Sequence, residues 1–283
     1  MCLSRYANID GMGWGEMYAS AKYLNLLNKH GKGKDARSVF IEPQYELDKA
    51  GKKIPTFRVV VPLYDNNNTI KGYNYIQTTL ATSGNTLYAV YKETINEEKK
   101  EYKAPLTLVN EADQYYSFVY RDGKTYTGEK DYVMLLNRVY PMYYITKCSL
   151  QDGESHLHSP TITRLAEMYL ILAECYAKKG DYVNALANLN IVRERSLPGM
   201  GYTSLNAENA RLLIEEERQL ELAFEADRSY DVYRNGGTLT RHYPGPHNSL
   251  EEIEATDTRV VHYIPQDQIN AYNSIGSTLT QNP

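Results

Sequence analysis

One helix–turn–helix spacing in the second half of the chain constrains its fold more than any other feature. Ala173-Glu174-Cys175-Tyr176 is followed by Gly180-Asp181-Tyr182 and then by Ala185. Small residues at 173 and 185 let two antiparallel helices approach closely. Gly180 suits a left-handed cap on the first helix, and Asp181 suits the start of the second. The predicted helices run over 162–178 and 182–195. Leu165, Met168, Tyr169, Leu172, Ala173 and Tyr176 lie on the apolar side of the first.

This is the spacing of the ~34-residue tetratricopeptide unit, which cannot bury its apolar face alone. Other helices have to cover it. Residues 14–29 read as a helix, with Met17, Ala21, Leu24 and Leu27 near one face, stopped by Gly31 and Gly33. A further helical stretch is expected from about Ala207 to Tyr233, ending at Gly236-Gly237. Residues 31–56 are polar and broken by Gly and Pro, and read as loop with short structure. Between them the period changes. Phe57-Arg58-Val59-Val60-Val61, residues 73–77, residues 86–91 and residues 115–120 are strand-like, with turn residues between. The charge run from Glu93 to Lys103 reads as a solvated loop or helix face. The expected fold is mainly α: tetratricopeptide-like helical pairs forming an α–α superhelix, with a small β-containing or irregular section at about 57–148. The expected divisions are 1–56, 57–160 and 161–283.

Composition narrows the function. There are 31 Lys and Arg against 35 Asp and Glu, a net charge of −4, so no basic field points to nucleic acid. Cys2, Cys148 and Cys175 are odd in number and widely spaced, which fits neither a disulfide framework nor a zinc knuckle. No apolar run of membrane-spanning length occurs, and Met1 to Tyr6 has no signal-peptide core. Glu217, Glu221 and Glu225 fall at four-residue steps. A glycosidase reading would take two of them as acid and base. The alternative is a helix–helix ion-pair network with Arg164, Arg193 or Arg195. His156 and His158 lack a third metal ligand. No phosphate-binding glycine loop, G-x-S-x-G or H-E-x-x-H motif is present. The expectation is a non-enzyme with no cofactor and no metal.

Ligand binding is better motivated. Tyr is abundant, with 27 Tyr against 4 Phe and 1 Trp. Tyr joins a flat apolar ring to a hydroxyl, as a polar, ring-shaped ligand requires. Tyr6, Asn8, Asp10 and Trp14 cluster in a glycine-flanked loop before a helix, and Trp14 either stacks on a ligand or anchors that helix. Tyr73 and Tyr75, and then Tyr115 and Tyr116, are further candidates.

Several motifs together resemble the SusD/RagB family. Thr163-Arg164-Leu165-Ala166-Glu167-Met168-Tyr169-Leu170 leads through Ala173-Glu174 into Val192-Arg193-Glu194-Arg195. Ile214-Glu215-Glu216-Glu217-Arg218 … Glu221 … Glu225 leads into Asp227-Arg228-Ser229-Tyr230-Asp231. Tyr263-Ile264-Pro265 and Gln281-Asn282-Pro283 resemble the family's ending, and Asp35-Ala36-Arg37 its mid-chain Asp-x-Arg. Ala226-Asp227 stands where the family usually has Gly, and Tyr230 where it has Trp or Phe. The resemblance implies a C-terminal portion of a surface-exposed outer-membrane lipoprotein whose anchor segment lies outside this chain. It further implies a SusC-like TonB-dependent transporter as partner and an oligosaccharide or polysaccharide ligand. The alternatives are oligopeptide capture, as in RagB, or a tetratricopeptide-type protein adaptor.

Overall fold

The structure, a computed structural model, describes residues 19–64, 70–95, 97–111, 114–137, 140–147, 159, 162–225, 228–240 and 252–281. They fall into two compact units, one ending at Glu225 and a smaller one holding the described residues from 228 onward.

The first unit is mixed α/β, which overturns the mainly α superhelix expected from the helical pair. Its β section is not small. After a short β1 (Ile41–Pro43) come β2 (Pro55–Tyr64), β3 (Ile70–Ser83), β4 (Thr86–Ile95), β5 (Glu98–Pro105), β6 (Thr107–Asn110), β7 (Tyr115–Val119) and β8 (Thr125–Tyr132). Strands β2 to β8 form one seven-stranded sheet in the order β5-β4-β3-β2-β8-β7-β6. Its ladders are antiparallel. It consists of two meanders, β2 to β5 and β6 to β8, joined where β8 pairs with β2. Within each meander the strands pair with their sequence neighbours across short connections, and only the β2–β8 ladder is long-range. At the β3–β4 turn Gly84 takes φ +59, which costs glycine little. The charge run 93–103 is also corrected. It forms the β4–β5 hairpin, where Lys92 faces Glu101 and pairs with it at 3.3 Å.

The two faces of the sheet differ. Phe57, Val59 and Val61 of β2 meet Ile76, Ala89, Tyr91, Ala104 and Phe118 in one buried cluster. Tyr91 on β4 lies 6.3 Å from Phe118 on β7 and stacks on Tyr120 at 5.5 Å. Those strands are four places apart in the sheet order, roughly 19 Å in a flat sheet at ~4.8 Å per strand. The sheet therefore curls until this face closes on itself. Three short strands follow: β9 (Leu136–Asn137), β10 (Tyr140–Pro141) and β11 (Tyr143–Ile145). β9 pairs with β10, and β11 pairs with β1.

Among the described residues of this unit are four α-helices, α1 (Ala21–Leu27), α2 (Leu165–Lys178), α3 (Tyr182–Ser196) and α4 (Ala210–Glu221), and a 3-10 turn at Ala36–Phe40. Ala173 and Ala185 are fully buried between α2 and α3. Gly180 turns the chain at φ +78, and the Asp181 carboxylate accepts from the Asn184 amide at 3.1 Å. Instead of a stack of such pairs, α4 packs against this one and buries Ile214 and Ala210. The helix expected over 207–233 is interrupted. Phe224 takes φ +67, which is uncommon for a bulky residue, and its ring packs edge-on against Tyr23 at 5.0 Å. Residues 1–18, 148–158 and 226–227 lie outside the described residues, as do Cys2, Cys148, His156 and His158.

The buried stripe of α4 carries Glu217 and Glu221, both fully buried. Burial of two carboxylates demands partners. Arg37 supplies one: its guanidinium donates to Asp35 at 2.8 and 2.7 Å and to Glu217 at 2.6 Å. Arg193 reaches the other Glu217 oxygen at 3.2 Å. Glu221 accepts from Arg164 at 2.9 Å and from Arg195 at 2.6 Å. Lys147 donates to the carbonyls of Glu221 and Ala223 at 2.8 and 2.9 Å, and Arg164 and Lys147 both engage Glu225. This is the ion-pair network the glutamate spacing allowed, now extended to Asp35-Ala36-Arg37. Arg37 and Glu217 are 180 residues apart, so no local spacing couples them.

In the smaller unit, α5 (Arg228–Arg234) precedes a hairpin of β12 (Thr238–Thr240) and β13 (Glu252–Glu254), and α6 (Gln266–Ser274) follows. The Gln281 amide mimics a strand partner: it accepts from the Ile264 N–H at 2.7 Å and donates to its carbonyl at 2.9 Å.

Two outcomes follow. Glu217→Ala strands Arg37 and Arg193 without their shared carboxylate and is expected to lower unfolding free energy by about 3–5 kcal/mol in urea titration. Burial pushes the Glu221 carboxyl up, but the hydrogen bonds from Arg195 and Arg164 outweigh it and hold it below its ordinary 4.5. The folded chain then binds fewer protons at this group than the unfolded chain. The stabilisation is present above pH 4.5 and disappears as pH falls through the depressed value. Urea midpoints are expected to decline below pH 4.5, and more gently for Glu221→Gln.

Candidate ligand-binding cavity

The second face of the sheet is built by the same alternation that made the first apolar. Arg58 and Val60 stand between the core residues of β2. Their ladder partners share the face: Arg58 is opposite Glu129 and Gln77, Val60 opposite Tyr75, and Glu129 opposite Tyr115. Helix α1 lies over this face, begun by Ser20, whose hydroxyl accepts from the Tyr23 amide at 3.2 Å. Between helix and sheet is a cavity of ≈280 Å³ lined by Asn25, Asn28, Arg58, Tyr75, Tyr115, Glu129 and Tyr143, among others.

Arg58 is buried and sits at the base of the cavity. Its Nη2 donates to the Glu129 carboxylate and to Asp131 at 2.7 Å, and its Nη1 donates to the Tyr132 carbonyl at 3.3 Å. Lys32 bridges the same two carboxylates at 2.9 and 2.6 Å. Burial pushes the Asp131 carboxyl up, but Lys32 and Arg58 outweigh it and hold the group below its ordinary range. Burial also raises the Tyr143 hydroxyl, so it stays a neutral donor and acceptor. Tyr45 closes the cluster by donating to Asp131 at 3.3 Å. The arrangement is three tyrosines, two primary amides and a neutralised charge cluster. It offers flat apolar surface and hydrogen-bonding groups to a polar ligand. Nothing in it resembles a poised nucleophile or acid–base pair. Among the described residues no cluster of three or more His, Cys, Asp or Glu side chains can hold a metal.

The sequence-derived candidates meet this geometry unevenly. Tyr75 on β3 and Tyr115 on β7 line the cavity from either side of β2 and β8. Tyr116 turns to the other face and packs on the aromatic core. Tyr73 stands on β3 opposite Pro62, with its side chain outside the described ones. Tyr6, Asn8, Asp10 and Trp14 lie outside the described residues. Sequence reasoning missed Asn25, Asn28, Arg58, Glu129 and Tyr143. Arg58 carried a signal, because a charge inside the run Phe57 to Val61 has to find a buried partner.

Comparison with known proteins decides the family. The SusD family model matches residues 1–283. The chain belongs to the SusD family. A SusD-like protein of Formosa agariphila is 35% identical over 85 residues, which is 29% of this chain and 16% of that protein. A solved SusD superfamily protein from Bacteroides thetaiotaomicron is 31% identical, with a TM-score of 0.45, over 51% of this chain and 32% of its own. A Bacteroides vulgatus structure described as a candidate sugar-binding protein is 28% identical, with a TM-score of 0.40, over 50% of this chain and 32% of its own. This SusD family chain thus spans about a third or less of the relatives it matches. Among the described residues no helix is long and apolar enough to cross a membrane.

The raised Tyr143 hydroxyl has a direct readout. In an alkaline titration followed by tyrosinate absorbance, the wild type minus Tyr143→Phe difference is expected to have its midpoint above pH 10.0, the ordinary tyrosine value.

Proposed function

We propose that this chain binds glycans without chemistry, at the outer-membrane surface, and hands them to a SusC-like TonB-dependent transporter. The cavity between α1 and the sheet carries the reading. Tyr75, Tyr115 and Tyr143 supply ring faces for the C–H surface of a sugar, and Asn25 and Asn28 supply amides for its hydroxyls. A volume of ≈280 Å³ suits one or two sugar units of a longer chain. Membership of the SusD family supports it. The glycosidase alternative loses its residues, because Glu217 and Glu221 are sealed among arginines.

The test is isothermal titration of the chain with malto-, cello-, xylo- and laminari-hexaose and with mixed oligopeptides. Binding to a hexasaccharide is expected, weakened about tenfold by Tyr75→Ala or Tyr115→Ala, equivalent to about 1.4 kcal/mol. Binding to peptides with silence toward every sugar would replace this reading with oligopeptide capture.

A further inference from the structure

We infer that the cavity selects uncharged glycans and that Glu129 is the residue that excludes acidic ones. This rests on the glycan-binding reading above and adds to it a ligand class and a specificity residue.

Two charged side chains line the cavity, Arg58 and Glu129. Arg58 alone would make the floor an anion site, since guanidinium matches a carboxylate or sulfate with paired donors. It is not left alone. Glu129 lies directly opposite it in the β2–β8 ladder and accepts from its Nη2. Asp131, two residues on along β8, takes the same nitrogen at 2.7 Å. Lys32 then holds the outer Glu129 oxygen at 2.9 Å and Asp131 at 2.6 Å. Two cations and two carboxylates close on one another, so the cluster presents no net charge to a ligand.

A uronate or sulfated sugar entering here would lose its water and gain no uncompensated cation, because Glu129 already occupies Arg58 and Lys32. A neutral sugar needs only hydrogen bonds for its hydroxyls, and the Asn25 and Asn28 amides and the Tyr143 hydroxyl can make them. Specificity of this kind is built by leaving the wrong ligand's charge unpaired rather than by adding attraction to the right one. Removing the Glu129 charge while keeping its shape leaves Arg58 and Lys32 facing Asp131 alone. The cluster then carries a net positive charge.

The experiment compares neutral hexasaccharides (malto-, cello-, xylo- and laminari-hexaose) with hexagalacturonate and a heparin-derived hexasaccharide, on wild type and on Glu129→Gln. Wild type is expected to bind a neutral probe at least about tenfold tighter than either acidic one. Glu129→Gln is expected to narrow that gap by about tenfold or more, with the gain fading as salt rises. Wild type binding acidic and neutral probes alike overturns the inference and leaves the glycan reading standing. So does a soluble, folded Glu129→Gln with an unchanged gap. Silence toward every sugar overturns both. If Glu129→Gln does not fold, the wild-type comparison still decides.

Discussion

Glu217 is a fully buried carboxylate on the inward stripe of a helix, and much of the larger unit is arranged around it and its neighbour Glu221. Desolvating a carboxylate costs several kcal/mol unless it is paired and fully hydrogen-bonded. Four arginines provide the pairing. They come from separate places: Arg37 from the turn after α1, Arg164 from the start of α2, and Arg193 and Arg195 from the last turn of α3. Each distant segment is thereby held to α4. An apolar core of the same size could tolerate sliding, whereas a forked guanidinium on a carboxylate tolerates little. The ionic core acts as a register device for helices whose apolar contacts are mostly alanine and leucine.

A second charge cluster repeats the principle on the sheet and has a different consequence. Arg58, Lys32, Glu129 and Asp131 neutralise one another beside α1. Because α1 also packs Tyr23, Leu24 and Leu27 into a core with Leu220 of α4, the roof of the cavity is set by the helical half and its floor by the sheet. The ligand site is therefore a junction between two packing solutions, a common place for small-molecule sites in folded domains.

Much of the helical half was legible in the residues. The Ala173, Gly180, Asp181 and Ala185 spacing located a helical hairpin, and the four-residue steps from Glu217 to Glu225 located an ionic face, because these signals act within one or two turns. The sheet was under-read for a related reason. Four of its strands were visible one by one, but nothing in the run from Pro55 to Tyr132 says that seven strands join and curl. That closure rests on Tyr91 meeting Phe118 and Tyr120 across four strands. The charge run after Glu93 was misread because paired opposite charges on facing strands look, in one dimension, like a solvated segment.

What the residues determined alone are local facts: strand alternation, helix caps, and the demand of a charged residue in an apolar run for a buried partner. Tertiary structure decided which partner. Arg58 announces that it needs a carboxylate, but only the β2–β8 register places Glu129 opposite it, 71 residues away. In the same way Tyr75 and Tyr115 gave no sign that they face one cavity while Tyr116 turns to the core. A strand shows its period in sequence, but which face meets the helix and which meets itself depends on long-range pairing.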